Sequence, residues 1–243
     1  MKILSYNIHK GFSTLNSKFV LSSIKKAIRT VGADMVFLQE VLGQHEKHSQ
    51  NHKDWPTQFE FLADEMWPHY AYGKNAVYSE GHHGNAILSR YPIIKWENWD
   101  ISTNQREKRG LLHSEIKLPK DQIIVHAICL HLDLLEKGRQ LQADRLHAHI
   151  KKIPKEMPLI LAGDFNDWRS RISEKLFREL GMKEAFEEWS GEHAKTFPSF
   201  FPLLRLDRIY YRHLKLKNVE CLSGKPWNQL SDHVALMAEF ESL

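Results

Sequence analysis

Cysteine is scarce: the chain holds two, Cys129 and Cys221, in 243 residues. One pair defines neither a disulfide framework nor a zinc cluster, so the default expectation is a reducing compartment. Cys129 lies inside an apolar run, where a thiol behaves as a small hydrophobe. No apolar stretch is long enough to span a bilayer. No basic region followed by a cleavable apolar segment precedes Lys2–Tyr6, so the expectation is a cytoplasmic protein. Charge of one sign is also lacking, with 34 Lys and Arg against 30 Asp and Glu and a net charge of +4. Such an excess suits an anionic substrate but is no strong nucleic-acid footprint. Internal repeats and low-complexity linkers are absent, and the polar stretch Gln44–Lys53 reads as a surface loop. With 42% hydrophobic residues, the composition is that of a globular protein. A single domain over residues 1–243 is expected.

What is present is a series of short apolar runs that read as strands: Lys2–Tyr6, Met35–Leu38, Ala86–Leu88, Leu111–Ile116, Ile123–Leu130, Leu159–Leu161, Asp207–Tyr211 and Val234–Phe240. Two segments have helical periodicity. In one, Val20, Ile24, Ala27, Ile28 and Val31 share a face, with Asn16 as cap; in the other, Ala143, Leu146, Ile150 and Ile153 do, and Pro154 stops it. Strands outnumber helices, which predicts a layered α/β sandwich with mixed sheets.

Many of these runs end alike. The run from Ile3 ends at Asn7, that from Val36 at Glu40, that from Ile123 at His131 and that from Leu159 at Asp164. Taken alone, Gly163-Asp164-Phe165-Asn166 is a turn after a strand. Four polar strand ends instead suggest convergence on one cleft. Near the C-terminus stand Asp207 and the adjacent pair Asp232-His233. An Asp-His pair can supply a metal ligand and a base, and a second Asp can orient the His through its other ring nitrogen.

In order along the chain, Ser5-Tyr6-Asn7-Ile8-His9-Lys10-Gly11, Leu38-Gln39-Glu40-Val41, Gly84-Asn85-Ala86-Ile87-Leu88-Ser89-Arg90, Leu130-His131-Leu132-Asp133, Gly163-Asp164-Phe165-Asn166, Leu206-Asp207-Arg208-Ile209 and Ser231-Asp232-His233 resemble the signatures of the endonuclease/exonuclease/phosphatase superfamily. That superfamily includes deoxyribonuclease I, abasic-site endonucleases, inositol-phosphate phosphatases and neutral sphingomyelinases. The segment from Asn75 to Pro92 looks like a small bacterial branch of it. The resemblance implies a four-layered α/β sandwich, two packed mixed β-sheets flanked by helices, and a monomer. It implies metal-dependent hydrolysis of a phosphodiester or phosphomonoester by activated water. Glu40 would bind the metal with Asn7 nearby and Asp232 assisting. These hard oxygen donors suit Mg2+, with Mn2+ as a substitute. Asp164 would orient and deprotonate the water. Asn7 and Asn166 would donate to phosphoryl oxygens, and in extended backbone Asp164 and Asn166 point the same way. His233, oriented by Asp207, would contact the phosphate or act as the base. His131 would stabilise the phosphoryl oxygens or the leaving group. Whether Asp164 or His233 takes the proton stays open.

Other residues have weaker signals. His82-His83 reads as local loop packing beside a cleft, and Glu80 as a partner for His131 on a loose alignment. Arg109 could reach a phosphate or form a surface salt bridge. Arg139 and Gln142 open the second helix and would fix it against the His131 loop. The run Phe197–Leu204 could meet a lipid or aromatic substrate if exposed, but burial is preferred. Lys10, Arg106, Lys108, Arg109, Arg169 and Arg171 with Trp168 and Trp227 are what a nucleic-acid groove would draw on. A lipid headgroup or small phosphoester fits equally well. A non-catalytic phosphate- or nucleic-acid-binding module on the same fold is the alternative. A zinc hydrolase lacks clustered ligand spacing unless the fold unites His9, His82 and His83.

Overall fold

The strands of the computed structural model, which describes residues 1–14, 18–45, 57–79, 81–104, 107–172 and 174–241, alternate between two apolar layers. In β1 (Lys2–Asn7), Ile3 faces one layer while Leu4 and Tyr6 face another. In β2 (Met35–His45), Met35 and Phe37 join Ile3, and Val36 and Leu38 join Leu4. This period of two is what a strand buried on both faces requires. The first sheet is completed by β3 (His69–Tyr78), β4 (Gly81–Ser89), β11 (Leu216–Leu222) and β12 (Ala235–Phe240), in the order β11-β12-β1-β2-β4-β3.

The second sheet contains β5 (Ile93–Asp100), β6 (Gly110–Lys117), β7 (Ile124–His131), β8 (Leu159–Asp164), β9 (Lys183–Glu184) and β10 (Asp207–Arg212), in the order β5-β6-β7-β8-β10-β9. Each sheet has a parallel pair, β1 with β2 and β7 with β8, among antiparallel neighbours. Parallel neighbours need a crossover, and each crossover is a long helix. These are α1 (Leu21–Val31) and α3 (Glu136–Ile150).

Three apolar clusters fill the molecule. One, including Ile3, Phe37, Ala127, Ile160 and Ile209, lies between the sheets. A second packs α1 and α2 (Gln58–Ala63) on the outer face of the first sheet, with Trp227 and Leu230 of α6 (Trp227–Leu230). A third packs α3 and Phe177 of α4 (Glu174–Glu179) on the outer face of the second. The short α5 (Ala185–Ser190) follows β9. The result is the expected four-layered α/β sandwich. Among the described residues no helix is long and apolar enough to cross a membrane.

Asn16 lies outside the described residues; α1 starts at Leu21, with Val20 at the cap position and no side-chain cap bond. The second predicted helix ends at Ile150, before Pro154, and Ile153 packs from the following turn. Glu80, Arg106 and residues 46–53 of the predicted polar loop also lie outside the described residues, and of that loop Gln44 and His45 belong to β2.

Candidate active site

The interlayer faces of the central strands change from apolar to polar at one end. Ile3 and Ser5 lead to Asn7, Val125, Ala127 and Cys129 to His131, and Ile160 and Ala162 to Asp164. Register aligns them further. His131 stands opposite Asp164 across β7 and β8, and Asp164 opposite Asp207 across β8 and β10. One row of three neighbouring strands thus presents His131, Asp164 and Asp207, with Asn7 coming from the facing sheet.

Asp164 is the hub. Its Oδ2 accepts from Asn7 Nδ2 at 3.2 Å and lies 3.3 Å from His131 Nε2 and 3.7 Å from His233 Nε2. Its Oδ1 accepts from the Asn166 amide at 2.9 Å. Gly163 before it has φ 152°, and a Cβ there would stand 2.0 Å from the Leu130 carbonyl oxygen. Only glycine lets β8 approach β7 this closely. Burial raises the pKa of Asp164, with His233 opposing and Asp207 reinforcing. The expectation of an extended Asp164–Asn166 segment is corrected. Asn166 has φ 51°, so the pair forms a tight turn closed by the Asp164 carboxylate. The Asn166 Nδ2 donates to Leu132 O at 3.0 Å, which leaves one of its two N–H groups uncommitted to that bond.

His233 is held between two carboxylates, with Nδ1 2.8 Å from Asp207 Oδ2 and Nε2 toward Asp164. Burial lowers its pKa, but Asp207 and Asp164 outweigh burial and push it up to about 10. His131, equally buried, goes the other way. Burial, then the positive charges of Arg109 and His233, drive it well below the usual imidazole range. Asp164, Asp207 and His233 have ligand atoms within 4.8 Å of one another, so as a set they can hold a metal. We read them instead as an imidazolium held between two carboxylates, because a protonated His233 has no ring lone pair to offer a metal.

Glu40 reaches the site through a bulge. Leu38 pairs with Ala86 and Val41 with Gly84, so Gln39 and Glu40 together oppose the single residue Asn85. Leu38 and Val41 both belong to the outer cluster, which displaces the pair between them toward the other face. Glu40 takes φ 54° as a result. Its Oε2 lies 3.9 Å from Lys10 Nζ. Asp232 Oδ1 lies 3.3 Å from His9 Nδ1 and the same distance from Ser231 Oγ.

The wider set separates. Burial and then Lys10 push His83 down to about 4, with Glu40 opposing, which puts it in the field of the cleft. His82 is packed, its Nδ1 3.0 Å from Tyr72 Oη and its ring filling the space above Gly43. Arg109 is 9% exposed and forms an ion pair with half-buried Glu107, so the salt-bridge alternative is realised, in a buried rather than a surface setting. Gln142 Oε1 accepts from the Asp133 amide at 2.8 Å and Arg139 Nη1 donates to Asp133 O at 3.3 Å, so both fix α3 to the His131 loop as expected. Trp227 is buried against Tyr6 and offers no platform for a base. Arg169 and Arg171 pair with Glu136.

The preferred burial of Phe197–Leu204 is corrected. Phe200 and Phe201 are each 64% exposed and Leu203 54%. Polar bonds tie this loop down instead: Ser199 donates from its amide to Asp232 O at 2.8 Å and from its hydroxyl to Ser231 O at 2.6 Å. Phe197, at its base, rests 5.2 Å from the His233 ring. Leu134, Leu135 and Trp168, just beyond His131 and Asn166, are exposed too.

Two positioning residues had no sequence signal as such. Buried Thr196 accepts from the amides of Leu206 and Asp207 through Oγ1, both at 3.2 Å. Ser231 donates through Oγ to Asn7 O at 2.7 Å, joining the His233 loop to β1. Ser231 stood in a quoted motif but without a role.

Residues 4–233 match the Endonuclease/Exonuclease/phosphatase family model. The uncharacterized protein YbhP of Escherichia coli (strain K12) is 48% identical over 240 residues, covering 98% of this chain and 95% of YbhP. An endonuclease/exonuclease/phosphatase structure from Beutenbergia cavernae aligns with a TM-score of 0.78 at 16% identity, covering 99% of this chain and 71% of that one. The mannosyl-6-phosphatase Bt3783 of Bacteroides thetaiotaomicron aligns with a TM-score of 0.74 at 18% identity, covering 100% of both chains. At these identities the structural likeness is one of fold. The match over almost the whole length makes this chain a member of the endonuclease/exonuclease/phosphatase family.

Proposed function

We propose that the chain is a divalent-metal-dependent phosphoesterase in which water, activated at Asp164, attacks the phosphorus of a phosphodiester or phosphomonoester. The observation that carries this reading is the convergence of Asn7, His131, His233 and the Asn166 amide on one buried carboxylate.

Glu40, Asn7 and Asp232 would hold the metal. Their donors are hard oxygens, and the Glu40 and Asp232 side chains keep 21% and 25% of their surface accessible, a set that fits Mg2+ or Mn2+. When bound, such an ion neutralises charge on the phosphoryl oxygens. The protein supplies the rest. Asp164 is made more basic by burial, which suits it to take the water proton. His233 is ill suited to be that base, because Asp207 and Asp164 keep its proton on. It serves instead as a cationic donor to a phosphoryl oxygen. His131, neutral, offers an N–H from the other side. Arrival of the phosphate would draw both imidazole donors from Asp164 Oδ2 to the substrate and free a lone pair for the water.

The exposed Phe200, Phe201 and Leu203, on the loop whose base touches His233, favour a substrate with an apolar portion beside its phosphate. The buried Trp227 speaks less for nucleic acid.

Turnover of an aryl phosphodiester, an aryl phosphomonoester, plasmid DNA and a phospholipid, each with Mg2+, Mn2+ or a chelator, tests the reading. Metal-dependent hydrolysis of at least one, lost in Asp164→Asn, is expected. No hydrolysis of any of them, together with no Mg2+ or Mn2+ binding by calorimetry, sinks it.

A further inference from the structure

A second group of titratable side chains lies on the outer face of the second sheet, where α3 covers it. His113 of β6 is the direct cross-strand partner of Glu97 on β5. His126 of β7 is the diagonal neighbour of His113, since its own partner is Glu115. His149 descends from α3. His149 Nε2 stands 3.0 Å from His113 Nδ1, and His113 Nε2 stands 2.9 Å from His126 Nδ1. Glu97 Oε1 is 3.9 Å from His113 Nδ1. All three imidazoles are 7% exposed. Packing alone does not call for them, because Leu111, Ile128 and Leu146 fill the same layer as ordinary apolar residues.

We propose that Glu97, His113 and His149 form a metal site, separate from the catalytic cleft, for a borderline divalent transition ion of the zinc class. Three observations carry it. The ligand atoms of these residues already lie within 4.8 Å of one another. Two imidazole nitrogens on a tetrahedral zinc ion stand roughly 3.3 Å apart, given zinc–nitrogen bonds of about 2.0–2.1 Å. The observed 3.0 Å between His149 Nε2 and His113 Nδ1 needs only a small parting of the rings. The donor set, two imidazoles and a carboxylate, suits zinc better than magnesium. Glu97 is 40% exposed, so solvent can fill a fourth position beside it.

The third ring completes the arrangement. Neutral His113 can carry its proton on Nε2 and donate it to His126 Nδ1, which leaves His113 Nδ1 with a free lone pair. All three rings are buried, which favours the neutral form that a metal binds. Lys95 is paired with Glu115 at 3.7 Å, and Lys152 lies 4.6 Å over the Trp99 ring. One feature works against tight binding. His149 Nδ1 is buried without a partner and must take the ring proton when Nε2 binds the ion. The site should thus bind zinc less tightly than a fully supported structural site does.

Calorimetric titration of zinc into the full chain carrying Glu40→Gln and Asp232→Asn, which disables the expected catalytic ligands, tests the proposal. One bound ion is expected. Adding His149→Gln should abolish it, and adding Glu97→Gln, a change near the surface, should weaken it at least tenfold. Cobalt titrated into the same proteins should give tetrahedral visible bands that disappear with His149→Gln. The proposal is overturned if the double variant binds no zinc, or if its zinc affinity is unmoved by Glu97→Gln.

Discussion

Two buried histidines, one on β6 of the second sheet and one in the loop that leads into β12 of the first, meet opposite fates. His233 lies between Asp207 and Asp164 and is pushed up to about 10. His113 lies between His149 and His126 and is driven down to about 3. Burial disfavours the imidazolium in both, so desolvation cannot explain the contrast. Burial sets the downward sign at His113, where the neighbouring imidazoles add to it, whereas the two carboxylates at the His233 ring nitrogens reverse it. One environment stores a proton and the other refuses it. A fold can thus prepare one residue type for charged work at phosphate and for neutral work as a ligand or hydrogen-bond relay.

The largest effect should come from removing the carboxylate that faces both His131 and His233. Asp164→Asn keeps the shape but loses the base, and turnover should fall by about 10³-fold or more with the denaturation midpoint little changed. Full activity would remove Asp164 from the chemistry. Asp207→Asn attacks the contrast more directly. It should lower the His233 pKa toward the ordinary range, read by NMR titration of the ring, and reduce turnover by about 10²-fold. An unmoved His233 resonance would show that Asp207 is not what holds the proton.

The two histidines should also leave opposite marks on stability. A folded pKa raised above the unfolded value of about 6.5 gives stability that is complete below that pH and fades as pH rises. The stability difference between wild type and His233→Gln should therefore shrink from pH 7 toward pH 10. A folded pKa depressed below the unfolded one gives the reverse. The unfolded chain then binds the extra proton, so His113 should destabilise the protein as pH falls from about 6.5 toward 3, and His113→Phe should remove that slope. Chemical denaturation across pH reads both windows. The smallest effect should come from the end of the relay. His126→Ala removes the acceptor for a buried His113 N–H and should cost about 1–3 kcal/mol, whereas His126→Asn, whose carbonyl can accept, should cost less.

Much of this was legible in sequence where chemistry coincides with strand ends. Asn7, His131, Asp164 and Asp207 follow or begin apolar runs, and a period of two carries them to the interlayer side. Edge strands were harder. β3, β5 and β11 are partly exposed and mix polar with apolar residues, so no clean alternation marked them. The Phe200 loop misled for a different reason. Hydrophobicity predicts burial, but the backbone and hydroxyl of Ser199 decide where that loop sits. The cluster of Glu97, His113, His126 and His149 has no local spacing at all, since register and a helix crossing bring it together. Likewise, the left-handed backbone of Glu40 and Asn166 is a product of tertiary pairing.

The extra residue in β2 makes fold and chemistry separable. Two residues there face Asn85 where a regular ladder would have one. A chain shortened by one residue at this point could keep its apolar alternation on both sides and so retain its layers. If the residue lost is Glu40, it would then be a well-packed protein whose β2 sets Gln39 alone opposite Asn85 and brings no carboxylate to the cleft. Inheritance of the sandwich alone would not ensure inheritance of the cleft, and a single-codon loss in this strand is enough to part the two.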